Sequence, residues 1–249
     1  REILAKFRNL GLAGDYYLEF NLEILPRKGD RTVVPGQMWG ARNAQGPVFR
    51  VTLNDNETGQ PIDRLLGHNG PNPSAWRLAD TEGAQASAQP IQLDASTLLD
   101  PIGGTELSMF ELQMPFIHWT DHVYEGTTRV RGRAVHAFLM YPPEDFAAAH
   151  PEIAGVRLHL DANFHALMQA VFLDADEIPE RKLTVLDLKK LGEQWIVKTI
   201  DIRDEHTRDK VRFEVTAAAL NLDFSPRLFD AEELGADIAP PENVVPLRW

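Results

Sequence analysis

Between Thr128 and Thr216 the chain is almost entirely strand-forming sequence. Five segments follow one another: Thr127–Pro143, Ala154–Phe164, His165–Asp176, Glu180–Asp204 and His206–Leu220. Each is rich in β-branched or aromatic residues and is bounded by turn residues. Val156, Leu158 and Leu160 alternate with Arg157, His159 and Asp161, and Val211, Phe213 and Val215 alternate with Arg212, Glu214 and Thr216. That period of two puts one apolar face on each strand. Leu191-Gly192-Glu193-Gln194 reads as a tight hairpin connection. A stretch of this kind builds an antiparallel sheet, and the sheet makes a surface or a cavity. The expectation therefore moves from enzyme towards carrier or binding protein.

The first half of the chain continues the pattern. Ile3, Leu4, Phe7 and Leu10 form one apolar helical stripe, ended by Gly11 and Gly14. Tyr16, Leu18, Phe20, Leu22 and Ile24 then alternate with Tyr17, Glu19, Asn21 and Glu23, which predicts a strand with one apolar and one polar face. A turn at Lys28-Gly29-Asp30 leads to strands at Arg31–Arg42 and Val48–Leu53, with weaker ones at Pro61–Leu66 and Ala75–Leu78. Asp80–Gln92 reads as a surface loop with a strand near its end. Ser96–Leu99 and Thr105–Leu112 read as short helices, with Asp94 or Ser96 capping the first and Thr105 the second. Met109, Phe110, Leu112, Met114, Phe116, Ile117 and Trp119 make the most apolar window of the chain, either core or a lid over a pocket. A Pro-rich tail occupies about residues 230–249, and no domain boundary or internal repeat is visible in residues 1–249.

Composition narrows the function classes. With 249 residues and 43% hydrophobic content, the chain can bury a sizeable core. Its net charge of −12 opposes a phosphate backbone, so no nucleic-acid partner is expected. Arg129, Arg131 and Arg133 would share one solvated strand face. The sequence has no cysteine, so it forms no disulfide and has no thiolate ligand or nucleophile. No apolar run approaches the ~20 residues of a membrane-spanning helix. Arg1-Glu2-Ile3-Leu4 is already helical in pattern and reads as a mature or trimmed start.

Chemistry-bearing motifs are sparse. His118 and His122 would share a helix face with Asp121 between them, but no Glu stands where a metalloprotease needs it, and a surface or lid role is the plainer reading. His136 and His159, on strands, are expected to face one another across the sheet as half-buried side chains. Asp174 with Asp176, and Asp201 with Asp204 and Glu205, fall in turns and read as solvated. No G-x-S-x-G, P-loop or H-E-x-x-H motif is present. No metal, cofactor or catalytic residue is assigned.

Three segments carry a family resemblance. They are Gly36-Gln-Met-Trp39-Gly-Ala-Arg42; Arg131-Gly-Arg-Ala-Val-His136-Ala-Phe-Leu-Met140-Tyr-Pro-Pro143; and Val156–Asp161 with Lys189-Lys190, Gln194-Trp195 and Asp209–Phe213. In this order, nearly along its whole length, the chain resembles the LolA-like outer-membrane lipoprotein-sorting proteins. The resemblance implies a mainly β (α+β) fold: a curved, incomplete antiparallel β-barrel covered by short helices. It also implies a periplasmic carrier that holds lipoprotein acyl chains or another lipid, exchanged with membrane-bound donor or acceptor proteins. An arginine at the position of Arg42 closes the lid in that family; here Asn43 follows it instead of proline.

A barrel with alternate residues facing inward supplies the dry cavity that acyl chains need. Leu18, Phe20, Leu22, Phe49, Val51, Phe138, Met140, Leu158 and Leu160 are the candidates for its concave side. Phe110, Met114 and Phe116, with Arg42, are the candidates for the lid. The sequence is equally compatible with a barrel filled by its own side chains. A hydrolase using His and carboxylate groups, or a module pairing through a sheet edge, are the other readings.

Overall fold

The computed structural model describes residues 2–79 and 89–247. Helix α1 (Glu2–Asn9) precedes strands β1 (Asp15–Leu25), β2 (Thr32–Arg42), β3 (Pro47–Asn54), β4 (Pro61–His68), β5 (Ser74–Ala79) and β6 (Ile91–Leu93). Helix α2 (Met109–Gln113) and a 3₁₀ turn (Pro115–His118) follow. Then come β7 (His122–Val130), β8 (Arg133–Met140), α3 (Glu144–Ala149), β9 (Gly155–Asp161), β10 (Leu167–Leu173), β11 (Pro179–Leu191), β12 (Gln194–Asp204), β13 (Lys210–Leu222) and β14 (Val245–Pro246). The loop expected at Asp80–Gln92 lies mostly outside the described residues, and the strand expected near its end is β6.

The strands form one antiparallel sheet in the order β6-β5-β4-β3-β2-β1-β13-β12-β11-β10-β9-β8-β7, with β14 beside β13. Two meanders are joined where β1 pairs with β13, Leu22 opposite Phe213 and Phe20 opposite Val215. The sheet is not closed, since β6 and β7 are its ends, which agrees with the expected incomplete barrel. Ala75 of β5 and Phe138 and Met140 of β8 nevertheless share a single buried cluster. Strands near opposite ends of the sheet therefore curl around the same core. Glycine permits close packing on this core: a Cβ on Gly67 of β4 would lie 2.4 Å from Cζ of Phe49 and 2.9 Å from Cε of Met109.

Several local expectations change. The five segments hold seven strands: the expected hairpin at Leu191–Gln194 divides β11 from β12, and Arg131 (φ 50°) and Gly132 (φ 81°) make an unexpected two-residue turn between β7 and β8. Such a turn needs positive φ at both central residues, and Arg-Gly signals it less clearly than Asn-Gly. Arg129 consequently pairs with Ala134 and Val130 with Arg133, so the three arginines do not lie along one strand. His136 is opposite Leu160 while His159 is opposite Ala137, so the two histidines point to opposite faces of the sheet. His118 ends the 3₁₀ turn and His122 begins β7, so they share no helix. Ser108, not Thr105, precedes α2; the Glu111 carboxylate accepts from its backbone N–H (2.7 Å) and from its hydroxyl. The first expected helix is a single turn in which Asp94 accepts from Ser96 N–H at 2.9 Å.

The face of β1 read as polar is partly covered. Tyr17 is fully buried with Trp39, Val48, Leu66, Leu78 and Ala219 in a second cluster, sealed by Phe229 and Leu234. The C-terminal stretch is thus packed onto the convex side of the sheet. Arg50, buried in β3, donates to the carbonyls of Glu233 (2.8 Å), Leu234 (2.9 Å) and Ala236 (2.5 Å). Arg64 of β4 donates to the Gly235 carbonyl (2.7 Å) and to Asp237 (2.8 Å). Burial and the neighbouring Arg64 cation push the Arg50 guanidinium down to about 10, and it stays charged at neutral pH.

One turn ties stability to pH. Asp161 accepts from the backbone N–H of Asn163 (2.9 Å) and Phe164 (3.0 Å) and lies 3.0 Å from Arg133. Burial alone would raise its pKa, but these donors outweigh burial and hold it below 3.8. A depressed carboxylate stabilises the fold fully above its unfolded pKa and loses that contribution as pH falls through the folded value. Asp161→Asn is therefore expected to cost ~1 kcal/mol at pH 7 and less below pH 3.8, measured by urea unfolding at both pH values. An equal cost at both would count against this role.

Candidate functional site

The residues expected on the concave side are gathered in one buried cluster. Leu18, Phe20, Leu22, Phe49, Val51, Phe138, Met140, Leu158 and Leu160 are all buried, and all belong to the main cluster. Their alternation along β1, β3, β8 and β9 places them there. Phe20 stacks on Phe213 with centroids 4.4 Å apart. Tyr16 packs against the same cluster, and burial pushes its hydroxyl up to about 12, so it stays neutral.

The apolar window from Met109 to Trp119 covers this face. Phe110 and Phe116 are fully buried in the cluster, and Met114 packs against it. The Phe110 ring lies 4.7 Å from Phe146, 5.3 Å from Phe116, 5.5 Å from Phe172 and 6.0 Å from Trp119. Aromatic contacts of this type add to the burial of area. Met114 joins α2 to the 3₁₀ turn in the left-handed region (φ 53°, ψ 52°), a conformation a non-glycine residue rarely holds. The covering segment thus bends sharply at one residue.

Polar tethers hold the segment at its margins. Glu111 lies 2.7 Å from the Arg181 guanidinium of β11; burial nevertheless keeps its carboxyl above the usual range, against Arg181 and the Ser108 donors. Gln113 donates to the carbonyls of His68 and Ser74, both at 3.0 Å, fixing α2 to the β4–β5 corner. The part after Met114 is held by α1, where Arg8 donates to the carbonyls of Ile117 (2.7 Å) and Trp119 (3.0 Å). Arg42, at the end of β2, reaches the Arg8 carbonyl at 3.5 Å. Burial first, then the Arg8 and Arg42 cations, lower the pKa of His118. Sequence reasoning missed Arg8 because its stripe partners Ile3, Leu4 and Phe7 drew attention to packing. A basic residue in the last turn of a helix is an ordinary C-terminal signal.

A cleft of about 710 Å³ opens beside the β6 end of the sheet, between β5–β6, the covering segment and the start of α3. Trp119, Phe146, Leu98, Leu93 and Ala75 line it and also belong to, or pack against, the main cluster. His150 Nε2 bonds the Ala95 carbonyl at 2.7 Å, joining α3 to the chain after β6. Helix α3 was not anticipated, although Pro143, Glu144 and Asp145 at its start are helix-initiating residues.

No helix among the described residues is long and apolar enough to cross a membrane. Residues 84–236, more than half of the chain, match the model of an "Uncharacterized protein"-like family, and the chain belongs to it. A search among curated proteins found no match. Among solved structures, a domain from Vibrio parahaemolyticus provisionally described as outer membrane lipoprotein-sorting has a TM-score of 0.78 at 14% identity, covering 94% of this chain and 97% of that one. A DUF1329 family protein from Desulfovibrio piger has a TM-score of 0.77 at 12% identity, over 94% and 96%. A LolA superfamily protein from Nitrosomonas europaea has a TM-score of 0.68 at 11% identity, over 92% and 96%. At these identities the likeness is one of fold alone, the curved open sheet that this chain shares with all three structures.

Proposed function

We propose that this protein is a periplasmic carrier that holds acyl chains, of lipid-modified protein or another lipid, on the concave side of its half-barrel. It performs no covalent chemistry, and it exchanges its cargo with membrane-bound donor or acceptor proteins. One observation supports this reading above the others. The concave face is covered by a separate segment whose side chains, led by Phe110 and Phe116, are as apolar as a lipid tail. An acyl chain that displaced them would exchange one apolar contact for another, with ~0.8 kcal/mol for each CH₂ it buries. The closed arrangement is the unloaded carrier, and Arg8 and Arg42 are its latch. The fold likeness to lipoprotein-sorting domains agrees with this role.

The test is direct. Purified, delipidated protein is titrated with a fluorescent fatty acid and with a triacylated peptide. Saturable binding at micromolar concentration is expected, and no binding of either would sink the carrier reading. Arg8→Ala removes two charged hydrogen bonds from the closed state only, worth ~1–2 kcal/mol. It is expected to lower the probe's Kd about five- to thirtyfold while lowering the unfolding midpoint. Unchanged affinity with reduced stability would show that Arg8 only braces the fold.

A further inference from the structure

The cleft beside the β6 end of the sheet has an unequal distribution of charge. Its floor is apolar, with Trp119 and Phe146 buried, and Pro115 and Pro143 stand on its walls. Among the described residues, its charged lining residues are the exposed carboxylates Asp94 and Asp145, and neither lysine nor arginine lines it. We infer that this cleft is the portal by which a single-chain amphiphile reaches the concave face, and that it selects a neutral or cationic head over an anionic one. This rests on the carrier reading and adds to it the route and the class of head group.

Three features carry the inference. The cleft lies beside the β6 end of the open sheet, between β5–β6 and α3, so a chain entering here need not break the β-ladder. Its floor is continuous with the core: Trp119 lies 5.5 Å from Phe146, which stacks on Phe110. A chain lying on that floor touches the covering segment from the side. Its volume of about 710 Å³ is in the range of ligand sites.

The carboxylates are also fixed in place. Asp94 accepts from Ser96 N–H (2.9 Å), its hydroxyl (2.6 Å) and the Thr97 hydroxyl (3.3 Å). The Ser96 donors lead in holding its pKa below 3.8, so the charge persists in mild acid. Asp145 accepts from Phe146 N–H at 2.9 Å. A ligand anion at this rim would meet two negative charges without a compensating cation from the lining.

The experiment uses three dodecyl probes of equal length, each brominated at the terminal carbon. Their heads are trimethylammonium, a glycerol ester and a sulfate. Bromine quenches nearby indole emission, and Trp119→Phe identifies the share that comes from the cleft. The first two probes are expected to bind and quench Trp119, and the sulfate to bind about tenfold more weakly. Asp94→Asn with Asp145→Asn, which leaves one acceptor oxygen on each side chain, is expected to bring sulfate binding close to the others, with a small fall in the unfolding midpoint from the lost Asp94 charge. If all three probes bind alike, if the double variant discriminates as before, or if binding leaves Trp119 emission unchanged, the portal is overturned and the carrier reading stands. If no probe binds at all, both fall.

Discussion

Replacing Phe110 by alanine is expected to remove about 3–5 kcal/mol of stability, the largest single loss predicted here. The side chain is fully buried, and its ring meets Phe116, Trp119, Phe146 and Phe172. Those partners come from the covering segment, α3 and β10, so no single neighbour can move in to fill the space. A shift in the denaturant midpoint at unchanged slope would establish the loss. The same variant opens a void beside the cleft, so fluorescent fatty acid should bind it more tightly per folded molecule. A loss below 1 kcal/mol would mean that the covering segment is only loosely seated.

Arg50→Ala is expected to cost about 3 kcal/mol and to release the C-terminal segment. Arg50 satisfies the carbonyls of Glu233, Leu234 and Ala236 from inside the sheet. Without it those groups either stay dry and unpaired or lift away into water, taking Phe229 and Leu234 off the second cluster. Limited proteolysis followed by mass measurement should find new cleavage within residues 226–237. Arg50→Lys should rescue only part of the loss, because an ammonium cannot fork between separate carbonyls. An unchanged cleavage pattern in Arg50→Ala would show that Arg64 and the apolar contacts suffice.

Much of the sheet was legible because strand residues declare their faces locally. Leu18, Phe20 and Leu22 alternate with Glu19, Asn21 and Glu23, and all three apolar residues are in the main cluster. The same local rule misjudged Tyr17. It shares the polar side of β1, but residues more than 200 positions later, Phe229 and Leu234, cover it. The β7–β8 turn was missed because positive φ at Arg131 has no strong sequence signal. Arg8 was missed because its partners, the Ile117 and Trp119 carbonyls, are backbone groups more than 100 residues away. Backbone acceptors are present at every position, so their use cannot be read from residue types.

What the sequence determined by itself was most of the strands, the buried sides of β1, β3, β8 and β9, and the apolar character of Met109–Trp119. These follow from side-chain period and burial preference, which act over a few residues. Only the tertiary structure decided how the sheet closes on itself. It pairs β1 with β13, leaves β6 and β7 as open ends, lays the covering segment on the concave face, and gathers Asp94 and Asp145 at one cleft. Each of those is a meeting of chain segments far apart in sequence. Their choice depends on which apolar surfaces fit together once the strands exist, and no local pattern encodes that fit.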